Sequence, residues 1–183
     1  MKINGTLATA FGCPFEGLTP IDNVVTYAAR YLETGIQTLT IADTTGMASP
    51  GQVYEVCRAL RDQFPTVTLT LHLHNTRGMG LANVLAGLEA GVTAFDASLG
   101  GIGGCPYAPG ATGNICTEDL VHMLDSSGIE TGVKLDELLK LARSLPELLE
   151  HDVPGQLIKA GLRTETRPVS ESVRELLAQH ESK

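Results

Sequence analysis

The chain has 183 residues, of which 43% are hydrophobic, and a formal net charge of −8 at pH 7. This length suits one domain with a sizeable core. The net negative charge argues against a nucleic-acid partner, which needs a basic surface. No apolar run approaches the roughly 20 residues of a membrane span. Because the first residues carry no secretory or transit signature and the four cysteines show no CxxC spacing, we expect reduced thiols, no membrane partner and a cytoplasmic location.

Strand-like and helix-like segments alternate along the chain. Residues 3–12 are short, apolar and threonine-rich, which predicts a strand. Residues 19–35 predict a helix, with Thr19-Pro20 as N-cap and first helical position and Gly35 as the stop. The alternation continues with strands predicted at 36–46, 66–78 and 92–104, and with helices predicted at 49–65, 79–91, about 117–127, about 135–150 and 170–180.

Four strand–helix units are typical of a parallel sheet with helices packed on it. A complete (β/α)8 barrel takes about 250 residues, so residues 1–150 predict an α/β fold that is about half of such a TIM barrel. Residues 151–183 are predicted to be an extension with one helix. A small open, doubly wound sheet is the alternative. Polar residues at the carboxyl ends of the predicted strands favour the barrel, although open sheets also bind ligands at that edge.

Two histidines, His72 and His74, stand two residues apart in the third of these strands. Side chains at i and i+2 of a strand point to the same face, so the two imidazoles can converge on one point. Two charged imidazoles would repel each other, whereas two neutral ones can bind one cation. The pair therefore predicts a metal site or an active site, and two hydrogen-bonded core histidines are the alternative.

Three further polar residues lie where strands end or loops begin. Asp43, in IADTTG, is either a turn residue or a carboxylate that orders metal ligands. Cys105 lies in a loop with five glycines between Gly100 and Gly110; it is either an exposed, reactive thiol on a closing loop or a small structural hydrophobe. Asn114 precedes a helix that begins TEDL, and it is either a helix cap or an amide ligand for a hard cation.

Several of these motifs together resemble the hydroxymethylglutaryl-CoA lyase family: FGCPFEG, HLHNTRG, and GGCPYAPGATGN followed by TEDLVHML. The resemblance runs from about Ile3 to Glu150, and PGQLIKAG resembles the family's closing segment. It implies a (β/α)8 barrel, an acyl-CoA substrate and one divalent cation, Mg²⁺ or Mn²⁺. It also implies roles for five residues: metal ligands His72, His74 and Asn114, and catalytic residues Cys105, His72 and Asp43.

The resemblance implies a carbon–carbon lyase reaction. In this reaction 3-hydroxy-3-methylglutaryl-CoA loses its hydroxyl proton and cleaves in a retro-Claisen step to acetoacetate and the enolate of acetyl-CoA. A cysteine on the closing loop, here Cys105, would assist protonation of the enolate. The alternatives are a related acyl-CoA condensing synthase or aldolase-like metalloenzyme, and a truncated chain without activity.

The sequence departs from the family at its start. The family's aspartate ligand and a catalytic arginine lie on the first barrel strand, in an Arg-Asp pair followed by Gly or Glu, and this sequence holds no such motif. The chain therefore corresponds to the family's carboxyl-terminal half. We expect little lyase activity from it alone, and reduced packing of Leu39, Ile41 and Leu71. We also expect it to form a homo-oligomer such as a dimer, or to associate with a missing amino-terminal half.

Overall fold

The structure is a computed structural model that describes residues 3–104 and 110–181. The described residues contain six strands: β1 (Asn4–Leu7), β2 (Gly12–Cys13), β3 (Gly17–Leu18), β4 (Thr38–Asp43), β5 (Thr68–Leu73) and β6 (Ala94–Asp96). They also contain eight α-helices: α1 (Ile21–Glu33), α2 (Pro50–Gln63), α3 (Gly80–Glu89), α4 (Thr117–Ser126), α5 (Leu135–Arg143), α6 (Leu145–Leu149), α7 (Leu157–Ala160) and α8 (Glu171–Glu181). A 3-10 turn, Leu99–Gly101, follows β6.

Four of the strands form one parallel sheet in the order β1-β4-β5-β6. Each strand pairs with the next sheet strand along the chain, and a helix lies between them. A doubly wound sheet would reverse its strand order at a switch point, so the sequential order rules out that alternative. The prediction of four βα units from a (β/α)8 barrel is confirmed.

The side of the sheet that faces the helices forms the core. Leu39, Ile41 and Leu71 are each 0% exposed, and they cluster with apolar side chains of α1, α2 and α3. Gly87 of α3 lies directly against the Leu71 side chain. The expectation that these three residues lose packing is therefore wrong, because alternation along the strands turns them toward the helices rather than toward a barrel interior.

The opposite side of the sheet is rich in hydroxyl groups. The strand register aligns Thr6 with Thr40 and Thr40 with Thr70. In the next row toward the amino ends, Asn4 is aligned with Thr38, and its side-chain amide donates a hydrogen bond to Oγ1 of Thr40 at 2.6 Å. In a closed barrel this side would line the interior.

Three details differ from the sequence-based expectation. Residues 3–12 are not one strand, because the chain turns after β1 into the antiparallel hairpin β2–β3. Thr19 does not cap α1, since its hydroxyl donates to the carbonyl of Thr9 at 2.8 Å. The helix predicted at 135–150 is divided at Ser144 into α5 and α6, because Pro146 has no N–H to continue the helical hydrogen bonds.

Other helix boundaries agree with the predictions. Ser49 caps α2, where its hydroxyl accepts a hydrogen bond from the N–H of Gln52 at 3.4 Å. The helix predicted at 170–180 is present as α8. Across residues 3–104 and 110–181, none of the helices is long and apolar enough to cross a membrane.

Candidate active site

His72 and His74 lie on the same side of the sheet, at the carboxyl end of β5. The two Nε2 atoms are 3.3 Å apart, and the ring centroids are 5.3 Å apart. His74 is buried, and its burial, together with the nearby His72, lowers its pKa. A pair of neutral imidazoles with adjacent Nε2 atoms can offer two lone pairs to a single ligand.

Asn114 reaches the same place from the next loop. Its backbone forms an isolated antiparallel bridge with His74. The side-chain amide donates from Nδ2 to the carbonyl of Ile102 at 2.9 Å and to that of Gly103 at 3.2 Å. Oδ1 of Asn114 is buried and has no hydrogen-bond partner within the described part of the chain.

These three residues fit a divalent cation. Ligand nitrogens bound to one ion at about 2.1 Å lie roughly 3.0–3.4 Å from each other, and the observed Nε2 separation is 3.3 Å. Oδ1 of Asn114, which has no partner among the described residues, supplies an oxygen of the kind that hard cations prefer. In the segments that the structure describes, no group of three or more His, Cys, Asp or Glu side chains could hold a metal ion. A cation here would therefore rely on this amide and on oxygens from outside the pair.

Asp96 is a residue that the sequence analysis missed. It ends β6 and is aligned with His72 in the strand register. Its Oδ2 lies 3.4 Å from Nδ1 of His72, on the ring nitrogen that points away from the His72–His74 contact. An imidazole that binds a metal through Nε2 carries its proton on Nδ1, and a carboxylate beside that proton fixes the ring. The sequence did not mark Asp96 as a strand end, because the predicted strand continued to residue 104, whereas the observed β6 ends at Asp96. Its partner, His72, is identified by the register between β5 and β6.

Asp43 is not turned toward the histidine pair. Ala42 is aligned with His72, so alternation along β4 puts the neighbouring Asp43 side chain on the opposite side of the sheet. Its carboxylate accepts hydrogen bonds from the N–H groups of Met47 at 2.8 Å and Ala48 at 3.2 Å. Burial raises its pKa, while these bonds and Arg77 act in the opposite direction. The geometry is that of a turn residue, which was one of the two readings of the sequence.

Two of the cysteines, Cys57 and Cys116, are buried. Cys105 lies outside the described residues, so its catalytic role stays a prediction. Cys57 is fully buried in the middle of α2, and burial raises the pKa of its thiol to about 12. Cys116 is also buried, and burial raises its pKa strongly. Neither of these two thiols has the exposure or the thiolate character that a nucleophile needs.

The sequence matches known proteins over most of its length. The model of the HMGL-like family matches residues 3–145. The chain is 46% identical over 155 residues to an (R)-citramalyl-CoA lyase of Chloroflexus aurantiacus, which covers 85% of this chain and 49% of the relative. It is 46% identical over 150 residues to a hydroxymethylglutaryl-CoA lyase of Bacillus subtilis, which covers 82% of this chain and 50% of the relative. The chain thus spans about half the length of the curated relatives it matches.

Solved structures agree with this match. An HMG-CoA lyase from Acinetobacter baumannii, determined in complex with coenzyme A and 3-methylmalate, superimposes with a TM-score of 0.87 at 54% identity. That superposition covers 91% of this chain and 55% of the other. An HMG-CoA lyase from Brucella melitensis superimposes with a TM-score of 0.75 at 36% identity, over 81% of this chain and 52% of the other.

Proposed function

Because the chain belongs to the HMGL-like family, we propose that it forms the metal-binding, carboxyl-terminal half of a carbon–carbon lyase that acts on an acyl-CoA. The observation that carries the proposal is the arrangement of His72, His74 and Asn114 at the carboxyl end of the parallel sheet. Active sites of (β/α)8 enzymes lie at this end. The four βα units of the chain are a partial barrel of that class.

The proposed cation is divalent, Mg²⁺ or Mn²⁺. When bound, it would polarise the substrate's oxygens and stabilise charge that develops during cleavage. The chain's own residues would prepare the site for it. Burial lowers the pKa of His74, which favours the neutral form that binds metals. Asp96 faces Nδ1 of His72, so Nε2 of His72 is the ring nitrogen on the side of His74. The amide of Asn114 presents Oδ1, since Nδ2 is held by two carbonyls.

The substrate proposed first is 3-hydroxy-3-methylglutaryl-CoA, as the family motifs imply. Loss of the hydroxyl proton and cleavage of the adjacent C–C bond would give acetoacetate and the enolate of acetyl-CoA, which then takes up a proton. Citramalyl-CoA is a second candidate, because the relative named for that substrate is as similar to this chain as the Bacillus subtilis lyase is. Both substrates carry a tertiary hydroxyl group, so the same metal site serves either. The role of Cys105 in protonation and the cytoplasmic location stay predictions.

The proposal is tested by titration of the purified chain with Mn²⁺, in which electron paramagnetic resonance measures the concentration of the free ion. We expect one site per chain, and strongly weakened binding in His72→Ala and His74→Ala. His122→Ala is the matched control, because His122 lies on α4 and outside the site. Absence of a saturable site in the wild-type chain would refute the proposed metal role, and so would equal binding by all three variants.

A further inference from the structure

We propose that Glu118 is a positioning residue: together with the segment Val153–Gly155 it clasps the turn Leu99–Gly103, and this turn fixes the side-chain amide of Asn114. The inference rests on the proposed metal site, because Asn114 matters here as a ligand. The inference adds to the proposed metal site a residue, Glu118, that neither contacts the cation nor lies at the carboxyl edge of the sheet.

Glu118 is a carboxylic acid buried within the protein. It lies in the first turn of α4 and is 0% exposed. Its Oε2 accepts a hydrogen bond from the N–H of Gly100 at 3.0 Å. Its other oxygen, Oε1, is buried and has no hydrogen-bond partner in residues 3–104 and 110–181. Burial of a carboxyl group is costly, so its one strong contact, to the backbone of the turn, indicates what the group does.

The segment Val153–Gly155 closes over Glu118 from the other side. The N–H of Gly155 donates to the carbonyl of Gly100 at 3.3 Å. A Cβ on Gly155 would lie 2.5 Å from Oε1 of Glu118, so a larger residue cannot occupy this position without displacing the carboxyl group. Gly100 has a φ of +67°, and a Cβ there would lie 3.2 Å from the Val153 side chain. Both the N–H and the carbonyl of Gly100 are thus held, one by Glu118 and the other by Gly155.

The clasped turn sets the orientation of Asn114. The carbonyls of Ile102 and Gly103 both face Nδ2 of Asn114. Carbonyl oxygens only accept hydrogen bonds, so two of them fix the NH₂ end of the amide on the side of the turn. Oδ1 must then point away from it. The carbonyl of Ile102 is held in turn by the hydroxyl of Ser98 at 2.5 Å.

The neighbouring acid, Asp119, offers a matched control. Its carboxylate accepts hydrogen bonds from the N–H groups of Gln156 at 2.9 Å and Leu157 at 2.8 Å, at the start of α7. It therefore ties the carboxyl-terminal segment to α4, but it makes no hydrogen bond to the turn. A general loosening of the carboxyl-terminal segment would follow the loss of either acid, whereas misorientation of the Asn114 amide would follow only the loss of Glu118.

The test compares Mn²⁺ affinity and hydrogen exchange of the Gly100 amide in four variants of the whole chain. We expect Glu118→Ala to weaken Mn²⁺ binding about tenfold, which is typical of groups that orient metal ligands, and to speed exchange at Gly100. Gly155→Ala should act in the same direction, because it pushes on Oε1. Glu118→Gln should retain most of the affinity, since its carbonyl can accept from Gly100. Asp119→Ala should lower thermal stability and leave the affinity unchanged.

Several results would overturn the inference. Wild-type affinity in a folded Glu118→Ala variant is one, and equal loss of affinity in Asp119→Ala is another. If Glu118→Ala does not fold, wild-type affinity in Gly155→Ala overturns the inference instead. A wild-type chain that binds no Mn²⁺ would refute the proposed function, and in that case faster exchange at Gly100 in Glu118→Ala would still report on the clasp.

Discussion

At the scale of single residues, the surroundings of His72 decide what its imidazole can do. Nε2 lies 3.3 Å from Nε2 of His74, and Nδ1 lies 3.4 Å from Oδ2 of Asp96. The side chains of His72 and Asp96 are 33% and 50% exposed, so solvent screens their charges and the pair adds little to stability. What the carboxylate can supply is orientation and a fixed tautomer.

We therefore expect Asp96→Asn to weaken Mn²⁺ binding about tenfold while the free energy of unfolding changes by less than about 0.5 kcal/mol. Calorimetric titration with Mn²⁺ and urea unfolding measure the two quantities. Asp62→Asn is the matched control, because Asp62 forms an exposed ion pair with Arg58 on α2, away from the site. Unchanged Mn²⁺ affinity in Asp96→Asn would show that Asp96 does not orient His72 for metal binding.

Glu118 should leave a signature in the pH dependence of stability. Burial raises its pKa, so between its ordinary and its raised pKa the folded chain holds more protons than the unfolded chain. Stability from this group is then lost as the pH rises. Glu118→Gln cannot titrate, so the difference in melting temperature, variant minus wild type, should increase from pH 4 to pH 8. Asp43 titrates in both proteins and cancels in the difference. A difference that is constant with pH would contradict this explanation.

The two histidines could be found from the sequence because their spacing alone places them on one side of a strand. Asp96 and Glu118 could not. Asp96 meets His72 through the pairing of β5 with β6, and Glu118 meets Gly100 through the path of the loop between β6 and α4. Asp43 was given two roles from the sequence; the hydrogen bonds of the loop after β4 show the turn role, and its catalytic role stays a prediction.

At the scale of the elements, the close contact between α3 and β5 depends on a glycine. Gly87 lies against the Leu71 side chain, and a Cβ there would also lie 3.2 Å from the ring of Phe95. The contact explains why a helix can pack so near the strand that carries His72 and His74.

We expect Gly87→Ala to lower the free energy of unfolding by about 1–2 kcal/mol, because overpacking costs more than the alanine gains as a helix former. Gly51→Ala is the control. Apart from its chain neighbours and the backbone of α2 itself, no described atom lies within 4 Å of the added Cβ at that position, so the substitution should be neutral or slightly stabilising. Urea unfolding of both variants measures the difference. A Gly87→Ala variant as stable as the Gly51→Ala variant would show that α3 can shift away from the sheet.

Element order was predictable because alternating apolar strands and amphipathic helices leave a pattern over many residues. The hairpin β2–β3 left no such pattern, since each of its strands has two residues. The division of α5 from α6 was marked by Pro146, but the apolar periodicity of residues 135–150 continues across it. The periodicity therefore obscured a break that the backbone chemistry of proline requires.

At the scale of the whole molecule, helices cover one side of the sheet. The helices cover the side with Leu39 and Leu71, while Thr6 and Thr68 on the other side are exposed. In the described residues, β1 and β6 each pair with a single neighbouring strand. Open strand edges favour association with further strands.

We therefore expect the purified chain to associate, with a dimer as the simplest form. Light scattering measures the molar mass of the assembly. We expect its lyase activity on 3-hydroxy-3-methylglutaryl-CoA with Mg²⁺ to be at least about 100-fold below that of an intact family member, since the arginine of the Arg-Asp motif is lacking. Citramalyl-CoA serves as the comparison substrate. A monomer with the full activity of an intact lyase would contradict both expectations.

The most direct test of the metal site is pulsed electron paramagnetic resonance of the Mn²⁺-loaded chain, which detects nitrogen atoms bound to the ion. Two directly coordinated imidazole nitrogens are expected in the wild-type chain, from His72 and His74. One should remain in either single alanine variant, and His122→Ala should leave both. A spectrum without coordinated nitrogen, or one that His72→Ala and His74→Ala leave unchanged, would contradict the assignment of this histidine pair as the metal-binding centre of the molecule.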